Sequence, residues 1–182
     1  MSKKAMYYIA IIIVLCIGFS LFYINQYSIN NDERSIQSSL KEWLNRASEE
    51  ELDPNVLETV QLDDTSSYIT IFQLENGNHG YSHLIKGINS KFKIQHSGHG
   101  TGLVSYQVID TNKGKYMILY GRNPNLNIDH ISLKSIHEDF GFDADVSKNE
   151  IFVRYEDVPS DFKNPFPANL TFYDKNNNEI LQ

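Results

Sequence analysis

Residues 5–24 read AMYYIAIIIVLCIGFSLFYI, and eighteen of these twenty are apolar. At a 1.5 Å rise, twenty helical residues cover roughly 30 Å, the hydrocarbon thickness of a bilayer. No charge occurs between Lys4 and Asp32, so nothing in the stretch opposes insertion. A soluble core helix seldom runs so far without a polar break, so the segment predicts a membrane span. A cleavable signal peptide needs small residues after its apolar region. After Ser20 this chain reads LFYINQY, which is bulky there, and Cys16 follows Leu15 rather than the small residue a lipoprotein signal requires. An uncleaved anchor over residues 5–27 is the expectation. Lys3 and Lys4 precede it and the next basic residue is Arg34, so the positive-inside bias leaves residues 1–4 in the cytoplasm. Everything after the span is then extracytoplasmic.

Removing that segment changes what the composition means. Of the 74 apolar residues (41% of the chain), eighteen lie in the window, which leaves 56 among the other 162, about 35%. Such a core is lean for its length, and two full cores are disfavoured. The single Cys excludes a disulfide scaffold. The part beyond residue 27 carries fourteen basic against 23 acidic residues, a formal charge of −9. That sign argues against nucleic acid, and against anionic lipid as a large-area partner.

Residues 28–66 are expected to form a helical stalk or linker. Ile36, Leu40, Trp43 or Leu44, and Ala47 recur at helical spacing across 30–52, with Asn31 or Asp32 able to cap the start. An amphipathic helix packed on the outer domain explains this better than a free stalk. Asp53-Pro54 reads as a helical restart.

From Ser67 the period changes to two. YITIFQL (68–74), YSHLIK (81–86), KFKIQH (91–96), LVSYQVI (103–109), KYMILYG (115–121), HISLKSI (130–136), FGFDADV (140–146), EIFVRY (150–155), NLTFYD (169–174) and EIL (179–181) read as short strands between turn residues. Residues 67–182 should therefore be a mainly antiparallel, sandwich-like β domain.

Four histidines fall close together: His79, His83, His96 and His99. On a strand, His79 and His83 share a face, and three imidazoles converging on one ion would make a zinc site. Solvent-facing histidines in a strand–turn region are the plainer reading. HSGHGTG (96–102) places Gly98, Gly100 and Gly102 at alternate positions, where free backbone N–H groups can form an anion nest. A glycine-rich connection between strands is the plainer reading. The stretch lacks the G-x-S-x-G elbow of an esterase and the Gly-Lys-Ser/Thr of a phosphate loop. DADVSKNE (143–150) fails as a calcium loop, with Lys148 where glycine is required.

The apolar anchor followed by YITIFQL, TNKGKYMILYGRNPN (111–125) and LTFYDKNNNEI (170–180) resembles the small uncharacterised single-pass membrane proteins of Bacillus-type Gram-positive bacteria. The resemblance implies a Gram-positive cell-surface setting and transfers no functional residue. The leading expectation is a membrane-anchored extracytoplasmic module, without cofactor, that binds a protein or envelope component. The alternative is a metal-dependent surface hydrolase using His79, His83, His96 and His99.

Overall fold

The computed structural model describes residues 2–46, 48 and 50–180. Ala47 and Leu181, which enter the reading of the sequence, lie outside that set. Helix α1 spans Lys3–Gln26, opens on the Ser2 hydroxyl, and buries none of its side chains in the protein. It is long and apolar enough to cross a membrane.

Helix α2 spans Glu33–Leu44. Asp32 caps it: Oδ1 accepts from the Ser35 N–H at 2.9 Å and Oδ2 from the Ser35 hydroxyl at 2.8 Å. The sequence pattern extends this helix to residue 52, but it stops at Leu44. Asn45 donates to the Lys41 carbonyl at 2.8 Å and to the Leu52 carbonyl at 2.7 Å, and accepts the Leu52 N–H at 2.7 Å. One amide side chain thus closes the helix end and folds the chain back.

Among the described residues eleven strands follow: β1 Pro54–Gln61, β2 Ser67–Leu74, β3 His79–Lys86, β4 Phe92–Gly100, β5 Val104–Thr111, β6 Gly114–Arg122, β7 His130–Ser135, β8 Gly141–Asp145, β9 Ile151–Val158, β10 Ala168–Tyr173 and β11 Glu179–Ile180. All pair antiparallel. They make a first sheet β1-β2-β3-β4, a central sheet β5-β6-β9 and a third sheet β11-β10-β7-β8. The mainly antiparallel β expectation holds, with a third sheet where a sandwich has two.

Strand β1 corrects the helical reading of residues 28–66. Pro54 lacks an N–H and fits the start of an edge strand, where it pairs opposite Leu74. Val56, Thr59 and Val60 are β-branched and prefer the pleated surface. A bulge between Val56 and Glu58 adjusts the register against β2.

Three cores alternate with the layers. Ile36 and Leu40 of α2 pack with Val56, Phe72, Leu74, Leu84 and Phe92 on one face of the first sheet. Its other face brings Ile69, Ile71 and Tyr81 against Ile109, Tyr116, Ile118, Tyr120 and Val153 of the central sheet. Met117, Leu119 and Phe152 leave the far side of that sheet to meet Ile131, Leu133 and Ala144 of the third. Successive residues of β6 therefore enter two different cores, which is why YMILY is an unbroken apolar run.

Candidate functional site

The histidines sit at the seam between the first and central sheets. On β3, His79, Tyr81 and His83 occupy alternate positions and share one face. Strand β4 pairs beside it with His83 opposite His96, Tyr81 opposite Gly98 and His79 opposite Gly100. A bulge next to His83 sets that register. Alternation then turns His99, which stands opposite Gly80, to the other face of the sheet, where it is exposed.

Four imidazoles consequently do not converge. His79 and His83 are four residues apart, about 13 Å along an extended strand. His99 lies across the sheet from His96. Among the described residues no three His, Cys, Asp or Glu side chains come together in a way that holds a metal ion. The zinc expectation for His79, His83, His96 and His99 is corrected on these grounds. Its plainer rival fails for two of them, because His79 is 6% and His83 2% exposed.

The anion nest is corrected as well. Strand β4 continues through Gly100, so Gly98 and Gly100 belong to the β3–β4 ladder rather than to a loop. A nest needs a backbone alternating between right- and left-handed conformations. Gly98, Gly100 and Gly102 have no positive φ; the glycines that do are Gly77, Gly114 and Gly121.

What the seam contains is a largely buried polar chain. Tyr81 Oη and His96 Nε2 are hydrogen-bonded at 2.7 Å. The bond is satisfied with both groups neutral, the hydroxyl donating and the imidazole accepting. The His96 ring meets His83 edge-on, centroids 5.4 Å apart. His83 Nε2 is hydrogen-bonded to Ser67 Oγ at 2.9 Å. Tyr120 of the central sheet closes over Tyr81 at 4.9 Å.

Burial sets the charges here. It lowers His83 to about 4, and the neighbouring His96 pushes the same way, while Asp110 opposes both. Burial also lowers His96. Tyr81 is raised by burial and then by Tyr120, and Tyr120 is pushed up to about 12 by burial. Every member is thus uncharged near neutrality. His79 Nε2 is bonded to the Leu103 carbonyl at 3.1 Å. Its Nδ1 is buried without a partner, the cheaper tautomer being the one that leaves an acceptor rather than a donor unpaired.

Ser67 and His83 have the spacing of a nucleophile and its base. Both are 2% exposed, so no substrate reaches them in this conformation. A surface concavity of about 560 Å³ lies elsewhere, beside α2, lined by Ser38, Lys41, Asn45 and Glu51 among others. Lys41 fills its charge there by pairing with Glu51 at 2.9 Å and Asp53 at 3.1 Å. The seam is a specifying element of the interior: its side-chain hydrogen bonds tie β2, β3 and β4 of the first sheet together, and His79 reaches the segment that leads into β5.

Reading the sequence missed Tyr81 and Tyr120 as members. The signal was present in HGYSHLIK, where His, Tyr and His alternate at period two. No protein-family model, curated protein sequence or solved structure matches this chain.

Proposed function

We propose that the protein is a single-pass membrane protein, N-terminus cytoplasmic, whose extracytoplasmic β domain acts as a binding or accessory module for a protein or cell-envelope component. The Gram-positive surface is the setting that goes with this reading. The observation that carries it is the contrast between the two parts of the chain. None of α1 is buried, with Tyr7, Val14 and Phe19 each at 67–68% exposure, while the remainder fills three cores. Apolar surface of that extent is covered by lipid or by another protein.

A surface for the partner is supported on the domain itself. Ile136 is 51% and Phe166 46% exposed. They are neighbours, because the Ile136 N–H donates to the Pro167 carbonyl at 3.2 Å. Phe166 stacks on Tyr106 with centroids 5.3 Å apart, which fixes its ring. Rigid aromatic anchors of this kind suit a protein interface.

Photo-crosslinking in cells from position 166, followed by detergent purification, should recover one discrete partner adduct. Recovery of the protein alone under varied growth conditions would count against the module reading. Orientation is tested separately. With Cys16→Ser removing the only native thiol, Lys175→Cys should react with a membrane-impermeant maleimide on intact cells, and protection until lysis would reverse the topology.

A further inference from the structure

The β3–β4 hairpin is locked onto the end of α1. Tyr23 and Tyr27, one turn apart on the helix, stack with centroids 4.5 Å apart. The Ile88 N–H donates to Tyr23 Oη at 2.8 Å. Asn89 Nδ2 donates to the Tyr27 carbonyl at 2.9 Å, satisfying a group that the helix end leaves free. Gly87 presses on both rings: a Cβ there would come within 2.6 Å of Tyr27 Cδ1 and 2.7 Å of Tyr23 Oη. Just beyond, Ile29 and Phe92 exchange backbone hydrogen bonds at 3.1 and 2.7 Å. Hairpin and helix end move as one piece.

At the tip of this hairpin Ile88 is 92% exposed, more than any large apolar side chain of α1 itself. Lys86, Lys91 and Lys93 surround it, and residues 76–109 contain no Asp or Glu. None of the three lysines forms a salt bridge with a described residue. Lys93 Nζ lies 5.1 Å from the Tyr27 ring centroid and Lys86 Nζ 5.9 Å from that of Tyr68, so both ammonium groups are steered by rings. A basic, apolar-tipped hairpin thus stands out on a domain whose formal charge is −9.

Depth follows from the helix. Twenty-four residues extend about 36 Å, against a hydrocarbon core of about 30 Å. Tyr23 lies three residues, about 4.5 Å, before the helix end, at the level where amphipathic rings settle between headgroups and acyl chains. The Ile88 amide, bonded to the Tyr23 hydroxyl, is carried to that boundary.

We propose that the 86–93 hairpin is a second membrane contact: Ile88 enters the headgroup–acyl boundary beside the emerging anchor, and Lys86, Lys91 and Lys93 engage the phosphates of anionic lipids. The contact rests on the reading of α1 as the anchor. The domain's negative charge confines it to this tip and repels the rest of the surface from the leaflet.

The test uses the full chain reconstituted in vesicles of phosphatidylcholine, with and without phosphatidylglycerol, and an environment-sensitive fluorophore on a single cysteine. Labelled Cys16 should be quenched by lipids carrying a nitroxide deep in the acyl chain. In the Cys16→Ser background, a label at Ile88→Cys should emit to the blue and be quenched by a shallow nitroxide, about twofold more with phosphatidylglycerol present. A label at Lys175→Cys should show neither effect. Combined Lys86→Gln, Lys91→Gln and Lys93→Gln substitution should abolish the lipid dependence at position 88.

Unquenched Cys16 would remove the anchor reading and the hairpin contact with it. Quenched Cys16 with water-like, unquenched emission at 88 would overturn the hairpin contact alone. Quenching at 88 that ignores both phosphatidylglycerol and the lysine substitutions would overturn it too, since the lysines are half of the site.

Discussion

Acidification should destabilise this protein through His83. The imidazole is 2% exposed, and burial, reinforced by His96, holds it at about 4 in the folded state. In the unfolded chain a histidine titrates near 6.5. Between those values the unfolded chain binds a proton that the folded chain refuses, so the equilibrium shifts toward unfolding as pH falls. The stabilisation is complete above 6.5 and is lost progressively down to about 4. At 1.36 kcal/mol per pH unit the gap amounts to about 3 kcal/mol. His96 is lowered by burial as well and adds in the same direction. Against a typical total of 5–15 kcal/mol that is a large fraction.

Urea unfolding of the full chain in detergent, followed by circular dichroism at pH steps from 7.5 to 4, measures this directly. His83→Gln keeps a hydrogen-bonding amide near Ser67 and removes the titration, so most of the slope between 6.5 and 4 should disappear. Asp32, Asp145 and Asp174 are held low by hydrogen bonds from nearby residues and Asp64 by Lys113, so the stability these four contribute is lost as pH falls below about 4 towards their folded values. Equal stability at pH 7 and 4.5, or a folded-state His83 resonance titrating near 6.5, would refute the reasoning.

Three further substitutions probe the layers separately. Leu40→Ala empties a fully buried site between α2 and the first sheet, and should cost about 2–5 kcal/mol as a lower urea midpoint with unchanged m-value. Asn123 is fully buried and serves three backbone groups: Nδ2 donates to the Ile128 carbonyl at 2.7 Å and the Val146 carbonyl at 2.9 Å, and Oδ1 accepts the Ile128 N–H at 2.9 Å. Asn123→Ala should lose about 3 kcal/mol or more in the same assay, since each orphaned buried group costs about 1–3 kcal/mol. At Gly80 an added Cβ would meet the Gly98 carbonyl, come within 2.7 Å of Phe72 Cζ and lie 2.8 Å from His99 Cα. Two of those neighbours are backbone, so Gly80→Ala should force β4 away from β3, read as accelerated amide exchange across 92–100.

The strands were legible because alternation at period two reports a buried face, and Asn- and Gly-rich turns separate them. Only the strand at 54–61 escaped, since Asp53-Pro54 signals a helix start as readily as an edge strand. The stacking of three sheets was half visible in YMILY, whose unbroken apolar run requires burial on both faces. The histidines were legible in position but not in environment. Whether His83 faces water or a second sheet depends on the central sheet, whose strands begin 21 positions further along the chain at Val104, and no local pattern encodes that. HSGHGTG misled in part for a related reason: glycines at alternate positions suggest a loop, yet pairing with β3 holds Gly98 and Gly100 in the ladder, and only Gly102 lies in the connection to β5.

The mounting of the domain decides what a partner must do. A stalk over residues 28–66 would have let the domain reach outward on a tether. Instead Tyr27 closes α1, and Ile29, two residues on, already pairs with Phe92 of β4. Helix α2, the segment that reads as stalk, lies against the first sheet through Ile36 and Leu40. One residue between α1 and a packed domain leaves no linker entropy to spend and no length to extend. If α1 spans the membrane, anything that binds this domain must come to the bilayer surface, within the domain's own diameter, to do so. On the proposed reading, anchoring would confine binding to two dimensions rather than three, so a small patch such as Ile136 and Phe166 could suffice for a membrane-resident partner where it would not for a soluble one. Inserting a flexible Gly-Ser linker of about ten residues after Ser28 would separate these terms. Crosslinking from position 166 should fall if the partner is membrane-resident, and rise or hold if it lies farther out in the envelope.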